Sequence, residues 1–221
     1  GVAGYQYTDS GAFAIPGVWA LKRGEAGVGD ALVRFLEDNP DIQPVLLFRY
    51  WQLQITGKTY RHLGDVWIDA QYDGSGTAYN ARATRRGLER LAARFPDRTF
   101  VLVDDLPSGD ELHIRAHLRR LDQLDRARIG LPVAKRDANR ATWEPFLKDI
   151  AASVENIDYR PIFADVCGPE ICPLFDGETL LYRDGDHLTW KGALAQKERA
   201  ARLFGPTGPT VSSPQGMVSE D

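Results

Sequence analysis

Two cysteines, Cys167 and Cys172, are the only thiols in this 221-residue chain. Two thiolates cannot complete a tetrahedral zinc site, and no histidine stands at finger-like spacing, so a zinc-stapled fold is ruled out. Long apolar runs are missing as well. None approaches ~18 residues, which excludes a membrane-spanning helix. Positive charge is not in excess: the net charge of -4 argues against a nucleic-acid surface. There are no internal repeats. The chain opens at Gly1 without a start methionine or a signal peptide, and reads as an excised domain or a processed product. Nothing in it calls for a metal or an organic cofactor.

What is there is ordinary globular material. With 43% hydrophobic and 26% charged residues, the chain can form one sizeable α/β domain. Two cores of short continuous apolar residues, Val45-Leu46-Leu47-Phe48 and Phe100-Val101-Leu102-Val103, are bounded by turn residues. Such runs predict strands buried on both faces, hence a parallel sheet covered by helices. Ile157-Asp158-Tyr159 is a weaker third strand, and Val2 to Tyr7 a fourth. Helical spacing of apolar residues predicts four helices. They are marked by Val28 to Leu36, Ala81 to Phe95, Trp143 to Val154, and Trp190 to Phe204. The polar stretch from Asp110 to Arg128 predicts a more exposed helix. The segment from Thr56 to Ser75 has no clear period and reads as an insertion able to cover a site. Strands alternating with helices give a three-layer α/β/α sandwich over residues 1–204, followed by a Gly/Pro/Ser-rich tail over 205–221 that reads as disordered.

The chemistry-bearing run is Tyr182-Arg183-Asp184-Gly185-Asp186-His187-Leu188-Thr189. An imidazole with a carboxylate three residues away can act as the base and its orienter in a nucleophilic site. The plainer alternative is a surface turn at Gly185 with Thr189 capping the next helix. A calcium loop on Asp184 and Asp186 is disfavoured, because the further spaced oxygen ligands are missing. Cys167 and Cys172 enclose a short loop with glycine and proline, which favours a disulfide and an oxidising compartment. In parallel sheets, ligands bind beyond the carboxyl ends of the strands. The polar segments Arg49-Tyr50-Trp51 and Asp104-Asp105-Leu106-Pro107 follow the two apolar runs at that end.

These segments, in this order and with the closing Tyr-x-Asp-x-x-His-Leu-Thr and Gly192-Ala193, resemble the SGNH domain fused to membrane O-acyltransferases of acyltransferase family three. The resemblance spans roughly Gly1 to Phe204. It implies the SGNH-hydrolase fold, a flavodoxin-like α/β/α sandwich, and a periplasmic or extracytoplasmic place tethered to the inner membrane. The implied reaction is transfer of an acetyl group, by way of an acyl-serine, to a glycan acceptor such as lipopolysaccharide O-antigen. A transmembrane acyltransferase domain would be the acetyl donor. His187 would be the general base and Asp184 its orienter, while Asp186 has no assigned role beyond shaping the turn.

The family's Gly-Asp-Ser nucleophile motif is absent. Its nearest match is Thr8-Asp9-Ser10-Gly11, which makes Ser10 a candidate. Roughly 35 residues separate Ser10 from Val45, too few for the helix, strand and helix expected between them, so the favoured expectation places the nucleophile upstream of Gly1. Arg49 is a candidate donor to an oxyanion or a sugar acid, and Trp51 a candidate ring for stacking on a sugar. Tyr50, Tyr60, Trp67 and Tyr72 are further aromatic candidates for a sugar acceptor. An esterase of the same fold and a non-catalytic glycan-binding module are the competing functions.

Overall fold

The computed structural model describes residues 15–20, 27–57, 67–69, 77–118 and 125–204. Ser10, the expected strand from Val2 to Tyr7, Tyr60, Tyr72 and the tail beyond Phe204 lie outside the described residues, as does the side chain of Trp67.

In chain order the elements begin with β1 (Val18–Ala20), α1 (Gly27–Asp38), β2 (Val45–Phe48), α2 (Trp51–Thr56) and β3 (Trp67–Asp69). Then come α3 (Thr77–Arg94), β4 (Phe100–Val103), β5 (Gly130–Pro132), α4 (Val133–Arg140), α5 (Glu144–Ser153) and β6 (Ile157–Arg160). The chain continues through β7 (Ile171–Pro173), β8 (Phe175–Asp176), β9 (Thr179–Leu180), α6 (Trp190–Ala195) and α7 (Lys197–Ala201). No helix among the described residues is long and apolar enough to cross a membrane.

The two apolar runs and the weaker third one form a parallel sheet in the order β2-β4-β6, with Val45, Phe100 and Ile157 in register. Parallel neighbours need crossover connections, and α3 and α5 supply them. All four residues of β4 are 0% exposed, as a central strand covered on both faces requires. Alternation along the strand splits them. Phe100 and Leu102 face the larger cluster, which holds Leu36 of α1, Trp51 and Ile55 of α2, Leu88 and Leu91 of α3, and Leu147 and Ile150 of α5. Val101 and Val103 face the other side and pack with Ile162 and Leu203. This is the expected α/β/α sandwich.

Three of the four helices marked by periodicity form where predicted. α1 ends at Asn39-Pro40, where the Asn39 side-chain amide donates to the Phe35 carbonyl at 2.8 Å. α3 stops before Pro96. Two expectations fail. In the stretch from Asp110 to Arg128, the described residues 110–118 and 125–128 carry 3-10 turns at Asp110–Leu112, Ile114–Ala116 and Arg126–Arg128 where a longer helix was expected. Leu112 is the anchor there, fully buried in a second cluster. The last helix breaks at Gln196 into α6 and α7, and its buried positions are Gly192 and Gln196. Trp190 and Leu194, expected to face the core, point to solvent.

The second cluster lies apart from the sheet layer. β5 pairs with β7 and β8 with β9, both antiparallel, around Leu112, Ile129, Leu131, Cys172, Leu174, Leu181 and Tyr182. The Cys167–Cys172 disulfide forms, with Cys172 wholly buried in β7 opposite Leu131. Strands of two or three residues bury little by themselves, so this cluster depends on the covalent link and on ladder bonds such as Leu174 N–H to Ile129 O at 2.8 Å.

Candidate active site

His187 sits in a closed loop on the rim of the second cluster. Tyr182 and Leu188 bridge its base, the Arg183 N–H donates to the His187 carbonyl at 2.8 Å, and the Thr189 N–H donates to Leu181 O at 2.8 Å. Thr189 then caps α6. Its hydroxyl accepts from the Gly192 N–H at 2.9 Å and donates to Leu180 O at 2.7 Å. Gly192 is needed for this closeness, since a Cβ there would collide with the Leu181 carbonyl. The loop and the helix after it are therefore one stapled piece.

Within the loop, Asp184 organises the backbone and the imidazole together. Its Oδ1 accepts from the His187 N–H at 2.9 Å, from the Asp186 N–H at 3.3 Å and from His187 Nδ1 at 2.8 Å. A carboxylate can only accept, so Nδ1 carries a proton and, in the neutral ring, Nε2 keeps the lone pair. The histidine side chain is 60% exposed, which opens that edge to a ligand. Partial burial acts to raise the Asp184 pKa, but its hydrogen bonds with His187 and Asp186 outweigh this and hold the carboxyl well below the usual carboxylate range. Asp186 also stands 3.1 Å from Nδ1. The ligand atoms of Asp184, Asp186 and His187 lie within 4.8 Å of one another, a grouping that could hold a cation, although Asp184 Oδ1 is already committed to three donors.

The loop is tied to the sheet. The Gly109 N–H donates to Gly185 O at 2.9 Å, which fastens the segment leaving β4 against the loop of His187. The base is thus carried to the carboxyl end of the central parallel strand, where such sheets bind ligands. A small cleft with mixed lining opens at the same end, walled by Gln52, Asp105, Pro107, Ser108, Arg140 and Trp143 among others. Two adjacent carboxylates shape it. Asp104 takes the Phe163 N–H at 2.9 Å and pairs with Arg140 at 2.9 Å, and Arg140 in turn holds Glu144 at 2.7 Å. Asp105 accepts the Trp51 and Gln52 N–H groups at 2.8 and 3.0 Å, satisfying the open N-terminus of α2. Burial pushes the Asp105 carboxyl up to about 7 against those two donors, which favour the ionised form.

The aromatic and cationic candidates after β2 fall differently. Trp51 is 1% exposed, and its indole N–H donates to Val103 O at 2.7 Å. It is a core residue whose face is closed to a sugar. Arg49 is half-buried, and its guanidinium reaches Gln54 at 3.4 Å. Tyr50 is half-buried with its hydroxyl 3.1 Å from Ser108 Oγ. No serine among the described residues hydrogen-bonds His187. Asp105 and Gly109 were not singled out from the sequence as individual site residues. Their only signal was a polar, glycine-containing segment directly after a buried strand.

A family model described as the SGNH domain fused to AT3 domains matches residues 1–202. Among solved structures, the periplasmic domain of a lipopolysaccharide acetyltransferase of Salmonella ser. Paratyphi A is similar at a TM-score of 0.56 and 13% identity, covering 89% of this chain and 70% of that one. A putative platelet activating factor from Streptococcus pneumonia matches at a TM-score of 0.40 and 14% identity, over 79% of this chain and 90% of that one. No curated protein matches the sequence.

Proposed function

The chain belongs to the family of SGNH domains fused to AT3 domains, a family of esterase and acyltransferase kind, and on that premise we propose that it moves an acetyl group to a hydroxyl of a surface glycan such as lipopolysaccharide O-antigen. The reaction takes place outside the cytoplasm, beside a transmembrane acyltransferase domain that delivers the acetyl group. The observation that carries this reading is the 2.8 Å contact from His187 Nδ1 to Asp184 at the carboxyl end of β4, in a histidine side chain that is 60% exposed.

In this mechanism His187 Nε2 takes the proton of a serine hydroxyl as its oxygen bonds to the acetyl carbon, and returns it to the departing donor group. The same nitrogen then takes the proton of a sugar hydroxyl as its oxygen bonds to the acetyl carbon, and returns it to the serine oxygen as that bond breaks. Asp184 fixes the ring tautomer and stabilises the imidazolium formed in each half. Its depressed pKa keeps it ionised throughout. The nucleophile is Ser10 or a serine on a segment that precedes residue 1 in a longer protein.

The test is acetyl transfer from an acetyl ester to added glycan by the longest available form of the protein. His187→Ala lowers the rate by about 10³-fold or more. Transfer at the wild-type rate would remove His187 from the mechanism. Ser10→Ala decides between the two nucleophile positions: loss of activity assigns Ser10, and retention assigns the earlier segment. Acetate release that ignores added glycan would identify an esterase, since water and a sugar hydroxyl compete for one acyl-serine.

A further inference from the structure

Trp190 is the first residue of α6, three residues beyond His187, and it is 78% exposed. Full exposure of an indole is costly, because it leaves one of the largest apolar side chains in water. Leu194, one helical turn further on and about 6 Å along the axis, is 52% exposed. The helix buries Gly192 against Leu181 and turns its apolar side outward. The helix that follows the base thus presents an apolar stripe to whatever binds beside it.

We propose that Trp190 is the platform on which a pyranose ring of the acceptor rests while one of its hydroxyls meets His187. This rests on the reading of His187 as the base. A saccharide carries hydroxyls around its edge and C–H groups on its faces, so its recognition calls for a polar group at one point and a flat apolar surface beside it. Three residues span at most about 11 Å between their Cα atoms. The two side chains therefore lie within reach of one sugar with its substituents. The placement is also preorganised. The Thr189 hydroxyl bonds Leu180 on one side and Gly192 on the other, and the Thr189 N–H bonds Leu181, so the base and the indole sit on one braced segment. Of the other aromatic candidates whose side chains are described near the site, Trp51 is sealed in the core and Tyr50 is half-buried with its hydroxyl 3.1 Å from Ser108 Oγ. Leu194 extends the platform toward the next sugar of a chain.

The test is binding by the 221-residue chain, which requires neither a nucleophile nor a donor. The probe is O-polysaccharide released by mild acid from enterobacterial lipopolysaccharide and freed of acetyl groups with alkali. The expected result is saturable binding that Trp190→Ala weakens about ten-fold or more and Trp190→Phe, which keeps a ring, weakens by no more than about three-fold. The two readings fail separately, because His187→Ala tests the base in transfer assays and Trp190→Ala tests the platform in binding. A wild-type chain that does not bind the polysaccharide overturns the proposal, as does Trp190→Ala binding it unchanged. Trp190-dependent adsorption to phosphatidylglycerol vesicles, with no polysaccharide binding, overturns it in favour of a membrane-facing helix.

Discussion

In β4 every side chain is buried, whereas around His187 the same chain relies on strands of two or three residues, one disulfide and a set of hydrogen bonds. The sheet layer is held by apolar area, which is non-directional and accumulates with every residue. The smaller cluster is held by specific links, each of which fixes one geometry. The difference suits their tasks: the layer supplies stability, and the cluster supplies a base set in one orientation. Gly109 to Gly185 joins the two at the point where chemistry is proposed.

The two regions also treat their carboxylates in opposite ways. Asp105, enclosed by the sheet layer, is pushed up to about 7 by burial. Asp184, partly open and beside an imidazole, is held well below the ordinary carboxylate range by its hydrogen bonds. One favours the neutral acid in the folded state and the other the anion.

Three experiments press on this contrast. The largest stability effect belongs to the sheet layer. Leu102→Ala removes a wholly buried side chain from the larger cluster and costs about 2–5 kcal/mol, measured by urea unfolding. A smaller loss than that from cutting the disulfide would mean that the layer is not the source of stability.

The next effect is on pH dependence. Between the ordinary value of 3.8 and about 7, folded Asp105 binds more proton than the unfolded chain does, so its contribution to stability falls as pH rises. The slope reaches about 1.4 kcal/mol per pH unit. Asp105→Asn should flatten the stability profile in that window, and an unchanged slope would contradict the burial argument. Asp184 works the other way. Its stabilisation is present above pH 3.8 and is lost as pH falls toward its lowered folded value, so the two carboxylates act in different ranges.

The smallest effect is the most local. Reduction of Cys167–Cys172 releases a short loop worth about 2 kcal/mol. Amide exchange should quicken in β5, β7 and the loop of His187 while β4 keeps its protection. Uniform loss of protection would show that the two regions unfold as one.

Much of the layer was legible in the sequence, because a buried strand and an amphipathic helix each write a period into the chain. Val45–Phe48, Phe100–Val103, α1, α3 and α5 were all visible in this way. α4 was not: none of its residues is buried, and Arg140 fastens it to Asp104 by charge. α2 was hidden for another reason. Trp51 looked like a loop aromatic, and only the position of the Val103 carbonyl and the Asp105 carboxylate drew it inward. The Asp184–His187 pairing was readable because three residues in a tight loop are always near one another.

The sequence by itself determined the periodic elements, the cysteine pair and the local base-and-orienter motif, since each depends on residues close along the chain. The tertiary structure alone decided which aromatic is core and which is exposed, which face of the last helix meets solvent, and that the loop of His187 is fastened at the end of β4. Those outcomes depend on partners far apart in sequence, such as Trp51 with Val103 and Gly109 with Gly185, and no local pattern encodes which distant group will be there to complete a hydrogen bond or cover a ring.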